Sequence, residues 1–113
     1  MTVALLARDL MIATRIADAG ARAGVEVRRF DDPDQLPAAA SVRLLLVDWD
    51  ARGPDWGERL NKWCLNAPVS VRPRVVLFGP HIDLAAHADA RAAGLGPMLA
   101  RSKVLAVLPT LLT

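Results

Sequence analysis

Two aspartates follow the most apolar stretch of the sequence, at the point where a strand would end. Residues 43–53 read RLLLVDWDARG, in which four apolar residues precede Asp48 and one residue separates it from Asp50. A carboxylate at the tip of a buried strand is either the centre of a reactive site or a charge leaving the core beside a cation. A further aspartate, Asp9, lies early in the chain next to Arg8. Both alternatives stay open on these residues alone.

The other reactive residue types do not form a second site. Cys64 is the single cysteine, which excludes an internal disulfide and a zinc site with several cysteines. Its apolar neighbours favour a thiol in the core. His81 and His87 lie in one segment without the set of acidic or thiol residues expected of a metal site. We therefore predict no metal ligands.

Length and composition fit one globular domain, residues 1–113, with 53 % hydrophobic residues. The net charge of +2 is spread along the chain without basic and aromatic clusters, so nucleic acid is not an expected partner. The apolar runs are far shorter than the ~20 residues that span a bilayer. No basic region precedes the first apolar run, which argues against a signal peptide. We expect a cytoplasmic protein without a membrane partner.

Short apolar runs alternate with segments of helical period, which predicts a parallel sheet with helices on both faces. The predicted strands are residues 3–7, 25–30, 43–47, 74–79 and 97–100. Helices are predicted from Asp9 to Gly24, after Pro54, after Asp83 and in the terminal segment, and residues 31–40 predict turns with a brief or irregular helix. In the second helix Trp56, Leu60 and Trp63 are four and three residues apart, which predicts that they share one side and pack on the sheet. In such sheets the site lies outside the carboxyl ends of the strands, where Asp48 is placed.

The order and spacing of four segments resemble the receiver domain of bacterial response regulators. These segments are LLARDLMIATRI, LLLVDWD, VVLFGPH and ARAAGLGPMLARSK. The resemblance covers essentially the whole chain. It implies a single-domain flavodoxin-like fold with strand order 2-1-3-4-5.

The resemblance also implies the roles of the acidic residues. In that family a phosphoryl group is transferred to the aspartate that ends the third strand, and Mg²⁺ is held there with two acids that follow the first strand. Asp48 matches the acceptor, whereas the acidic pair reads Arg8-Asp9. Asp50 completes a degenerate acidic pocket. We expect the guanidinium of Arg8 to reach Asp48 or Asp9 in place of the metal.

The residues that transmit the signal in the family are also altered. Gly79 stands where receivers have a Ser or Thr hydroxyl, and Met98 stands where they have a switching aromatic ring. Arg101 followed by Ser102 replaces a Lys followed by a cis-proline. The resemblance therefore implies a scaffold with an acceptor carboxylate but without a working relay.

These observations predict a stand-alone pseudo-receiver, which is a non-enzymatic module without a cofactor. It would bind a partner protein of a signalling pathway, or a second copy of itself, through the fourth helix, fifth strand and last helix. The candidate interface residues are Trp49, Met98, Leu105 and Leu108, although core packing is an equal alternative for Trp49. No output domain follows Thr113, so output is expected in trans unless the chain is part of a longer protein.

Two other functions are alternatives. The first is a degenerate but phosphorylatable receiver that uses Asp48, Asp9 and Arg101 with Mg²⁺ and receives its phosphoryl group from a histidine kinase. The second is a small enzyme or nucleotide-binding protein of the same fold. The sequence has no glycine-rich phosphate loop and no Ser-His-Asp set that would support this second alternative.

Overall fold

The computed structural model describes residues 2–79, 84–95 and 98–112. Its strands are β1 (Thr2–Leu6), β2 (Val27–Phe30), β3 (Val42–Asp48), β4 (Arg74–Gly79) and β5 (Met98–Ala100). Its helices are α1 (Leu10–Arg22), α2 (Trp56–Leu65), α3 (Leu84–Ala92) and α4 (Arg101–Leu111). All strand pairs are parallel, in the order β2-β1-β3-β4-β5. The predicted flavodoxin-like α/β fold and its strand order are confirmed.

Helix α1 begins and ends where the sequence predicts. The side chain of Asp9 accepts a hydrogen bond from the backbone N–H of Met11 at 2.9 Å, which caps the helix. Gly24 follows the helix with φ of 73°, a conformation that glycine adopts without steric cost. The predicted cap of the helix after β4, Asp83, lies outside the described residues.

The connection between β2 and β3 contains two short 3-10 turns, Pro33–Gln35 and Ala39–Ser41, in place of an α-helix. Proline lacks a backbone N–H, so Pro33 and Pro37 interrupt the hydrogen bonds that a regular helix would need. The prediction of a brief or irregular helix is confirmed in this form.

The core has two layers, one on each face of the sheet. One layer joins the sheet to α1 and α4, and the other joins it to α2 and α3. Trp56 and Leu60 are buried in the second layer, as their spacing predicts, and Trp63 packs against it half-buried. The indole N–H of Trp63 donates to the carbonyl of Pro37 at 2.8 Å. Among the described residues no helix has the length and apolar character to cross a membrane.

Candidate functional site

The site lies at the carboxyl edge of the sheet, between the neighbouring strands β1 and β3. The helices that follow these strands pack on opposite faces, so this is the point where the strand order reverses. Asp9 follows β1, Asp48 ends β3, and Asp50 lies in the 3-10 turn after β3. Arg101 is the first residue of α4, directly after β5. The topology thus brings four charged residues to one place.

One guanidinium contacts all three carboxylates. Nη1 of Arg101 lies 3.1 Å from Oδ2 of Asp9, and Nη2 lies 3.2 and 3.3 Å from the two oxygens of Asp48. Nη2 also lies 3.6 Å from Oδ2 of Asp50. We call these four residues the Arg101 cluster. Its geometry joins β1, β3 and α4 through a single side chain.

The carboxylate of Asp48 is the buried member of the Arg101 cluster. Only 1 % of this residue is exposed, and no other charged residue among those that the structure describes is buried. Burial raises the pKa of Asp48, while the charge of Arg101 and the backbone N–H of Asp50 oppose this rise. That N–H donates to Oδ1 of Asp48 at 3.2 Å. Asp48 is therefore held by groups that stabilise its charged form against the cost of burial.

Asp9 experiences the opposite shift. The hydrogen bond from the backbone N–H of Met11 lowers the pKa of Asp9, and the hydrogen bond from Arg101 lowers it further. The same carboxylate thus caps α1 with one oxygen and contacts Arg101 with the other. The charged form of Asp9 is therefore favoured, whereas burial disfavours the charged form of Asp48.

The predicted role of Arg8 is wrong. Its Nε donates to the carbonyl of Asp31 at 3.3 Å, and its guanidinium lies 5.7 Å from the ring centroid of Trp56. Successive side chains of extended backbone point to opposite faces of the sheet. Arg8 therefore lies on the face of α2, whereas Asp9 lies on the face of α4. The cation that contacts Asp9 and Asp48 is Arg101.

Met98, the first residue of β5, lies beside Gly79, the last residue of β4. A Cβ atom on Gly79 would lie 3.0 Å from Sδ of Met98, and Met98 is only 5 % exposed. The methionine therefore fills the space beside β4 that a hydroxyl-bearing side chain would need.

Three of the four predicted interface residues are buried within the chain. Trp49, Met98 and Leu108 pack in the core, and only Leu105 is partly exposed. The indole N–H of Trp49 donates to the carbonyl of Ala86 at 3.0 Å, so the core alternative for this residue is correct. The single N–H donor of this tryptophan therefore has its acceptor inside the protein.

A second charged cluster, which the sequence analysis did not predict, surrounds Arg59. Arg59 in α2 contacts Asp32 at 2.8 Å, Asp34, and Asp55 at 3.6 Å. The hydrogen bond to Asp32 is the largest of the effects that raise the pKa of Arg59, and it lowers the pKa of Asp32. The acidic run DDPD at residues 31–34 was the available signal, but its partner is distant in sequence. This cluster fastens the irregular connection after β2 to α2.

The remaining candidates supply no reactive group. Burial raises the pKa of the half-buried Cys64, which disfavours the reactive thiolate. Within the described ranges no three His, Cys, Asp or Glu side chains are placed to hold a metal ion. His81 lies outside those ranges. Neither the comparison with models of protein families nor the search among curated proteins finds a match for this chain.

Proposed function

We propose that this protein is a pseudo-receiver, a non-enzymatic signalling module that binds a partner protein and is not switched by Mg²⁺-dependent phosphorylation of Asp48. The observation that carries the proposal is the contact of one nitrogen of Arg101 with both oxygens of Asp48. A permanent cation thus holds the carboxylate that would accept the phosphoryl group. The proposal rests on the resemblance to receivers together with this geometry.

The chemistry of phosphoryl transfer explains why the contact matters. An attacking carboxylate oxygen must approach the phosphorus in line, and a hard cation with oxygen ligands must offset the charge that gathers there. Asp48 is 1 % exposed, and Arg101 contacts both of its oxygens. A guanidinium offers only N–H donors, so it cannot coordinate carboxylate and phosphoryl oxygens around one centre as Mg²⁺ does. Phosphorylation would therefore require Arg101 to leave.

The transmission of a signal would be impaired as well. A response at β4 needs a side chain that can follow the phosphoryl group, and Gly79 has none. Met98 fills the adjacent space from β5. Both features support a module whose conformation is fixed.

Beryllofluoride with Mg²⁺, a stable mimic of the acyl phosphate, tests the proposal. We expect no saturable change in the amide NMR spectrum near Asp48, Gly79 and Arg101. A saturable change that requires Mg²⁺, is lost in Asp48→Asn and persists in the matched control Asp50→Asn would contradict the proposal. That result would support the phosphorylatable receiver instead.

A further inference from the structure

Large apolar side chains are exposed at two places in the described chain. Leu10 and Met11 lie at the start of α1, and Leu65, Val69 and Val71 lie at the end of α2 and in the turn that follows. The second place is at the amino edge of the sheet, the end opposite the Arg101 cluster. We call Leu65, Val69, Val71, Arg72 and Arg74 the basal patch.

The backbone holds the basal patch outward. Ala67 and Pro73 are buried, while residues 68–72 between them are all exposed. Residues Val69–Val71 form a 3-10 turn that follows Pro68. Val69 is 78 % exposed and Leu65 is 56 % exposed. A turn anchored on both sides thus carries branched apolar side chains into solvent, where their exposure is unfavourable.

The charge around the basal patch has one sign. Residues 59–79 contain four basic residues and no acidic residue. Nε of Arg72 donates to the carbonyl of Ala67 at 3.0 Å, which holds the guanidinium beside the turn. Arg74 is exposed at the start of β4. The nearest acid on α2 is Glu58, which contacts Lys62 at 3.1 Å. Arg72 and Arg74 thus leave a positive surface next to the apolar side chains.

We propose that the basal patch binds an acidic, apolar segment of a partner protein, an inference that rests on the proposed function. Apolar side chains of the partner cover Leu65 and Val69, and its carboxylates pair with Arg72 and Arg74. Arginine suits this role because its planar guanidinium binds a carboxylate through two hydrogen bonds. The surface around β5 and the last helix, which the resemblance implies as the docking face, exposes less apolar area at Met98 and Leu108, because both side chains are buried.

Other occupants fit the basal patch less well. Binding to an anionic membrane draws on a broad apolar face, and the patch has only three apolar side chains. Single-stranded nucleic acid draws on exposed aromatic rings for stacking, and no residue of the patch is aromatic. A second copy of the same patch would repel it, since both copies carry the same charge.

An NMR titration of the full chain with defined peptides tests the proposal. The probe is a short synthetic peptide of alternating Asp and Leu, and its control has Lys in place of each Asp. We expect the acidic peptide to shift the amide signals of residues 62–74 in a saturable way, and the basic peptide to leave them unchanged. The charge variant Arg72→Glu with Arg74→Glu and the apolar variant Val69→Ser with Val71→Ser should each weaken binding by about tenfold or more.

The matched control is Leu10→Ser with Met11→Ser, which changes the other exposed apolar residues and should bind as the unaltered chain does. All variants are required to keep the amide spectrum of the folded sheet. The proposal is wrong if the acidic peptide shifts no signals, if its shifts map to α1 or to β5 and α4, or if vesicles with phosphatidylserine bind at the patch while the peptide does not. The beryllofluoride experiment reads the opposite edge of the sheet, so each proposal can fail separately.

Discussion

At the scale of single residues, the position of Arg101 requires an explanation. It is the first residue of α4, and the positive end of the helix dipole disfavours a cation there. No acidic residue lies in the first turn of this helix to offset it. The three carboxylates of Asp9, Asp48 and Asp50 supply that compensation from β1 and β3. Arg101 is thus placed by tertiary contacts, against the local preference of its own helix.

Removal of the guanidinium should expose the cost of burying Asp48. We expect Arg101→Gln to lower the free energy of unfolding by about 2 kcal/mol, less than for a fully buried pair because Arg101 is partly exposed. In the background of Asp48→Asn the same change should cost less than half of this value, because the buried charge is gone. Urea unfolding of the four proteins measures the coupling. Equal losses in both backgrounds would show that Arg101 does not stabilise the charge of Asp48.

The pH dependence of stability follows from the same pair. Burial raises the pKa of Asp48 above its ordinary 3.8, so the folded protein binds this proton more tightly than the unfolded chain does. The contribution of Asp48 to stability is therefore fully present below pH 3.8 and is lost as the pH rises through the folded pKa. Arg101 opposes the shift, so Arg101→Gln should extend the loss to higher pH.

We therefore expect the melting temperature of Arg101→Gln to fall more between about pH 5 and about pH 8 than that of the unaltered chain. Circular dichroism at the two pH values measures the difference. The additional change Asp48→Asn should remove it. A difference that persists without the Asp48 carboxyl would assign the effect to another group.

At the scale of elements, ion pairs hold the one strand connection that contains no α-helix among the described residues. Two 3-10 turns connect β2 to β3, and the carboxylates of Asp32 and Asp34 hold the first of them against Arg59 of α2. An irregular connection makes few backbone hydrogen bonds of its own, so its order depends on such contacts. The guanidinium of Arg59 thus fixes the segment that covers this side of the sheet.

Arg59→Gln should loosen the connection after β2. We expect the amide protons of residues 31–36 to exchange faster by about tenfold, because local opening no longer has to break the two ion pairs of Arg59 with Asp32 and Asp34. Hydrogen exchange followed by NMR measures this. Lys62→Gln is the matched control on the same helix, since its ion pair with Glu58 is exposed on both sides and should contribute little. Exchange that is equally fast in both variants would assign the order of this segment to packing.

At the scale of the whole molecule, the two edges of the sheet present different surfaces. The carboxyl edge holds acidic residues in contact with arginines, most closely in the Arg101 cluster. The amino edge holds the basal patch, where arginines lie beside exposed valines. Because the sheet separates the two surfaces, binding at one edge and events at Asp48 can be measured independently. The proposed function needs both surfaces: one that is closed and one that is free for a partner.

The closed carboxyl edge predicts that the protein is insensitive to Mg²⁺. We expect Mg²⁺ at about 10 mM to change the melting temperature by less than about 1 °C, since Arg101 already contacts the carboxylates. In Arg101→Ala, where the three carboxylates lose their cation, Mg²⁺ should raise it by about 2 °C or more. Thermal unfolding with Mg²⁺ or with EDTA measures both responses. If Mg²⁺ raised the melting temperature of the unaltered chain but not that of Arg101→Ala, a metal site would have to exist together with Arg101.

The sequence predicted the sheet well because its strands depend on local pattern. Residues 3–6 of β1, 44–47 of β3 and 75–78 of β4 are apolar without interruption, and only a strand buried on both faces tolerates such a composition. The caps of α1 were equally readable, since Asp9 and Gly24 act on backbone within a few residues. The positions of Asp9, Asp48 and Arg101 at one edge follow from the same order of strands.

The identity of the cation at the site was not readable in this way. Arg8 adjoins Asp9 in sequence, yet extended backbone turns neighbouring side chains to opposite faces, so Arg8 contacts the ring of Trp56. The exposure of Leu65 and Val69 was likewise not predictable, because the sequence does not show whether an apolar residue near a helix end faces the core or the solvent.

Residue type and short-range pattern were thus enough to predict the order of the elements, the strand ends at which charges collect, and the missing side chain at Gly79. Tertiary structure alone decided which guanidinium holds Asp48, since Arg101 is 53 residues away and reaches it only once β5 has paired with β4. Coulomb interactions act through space, and the sequence does not contain the distances on which they depend until the sheet is assembled.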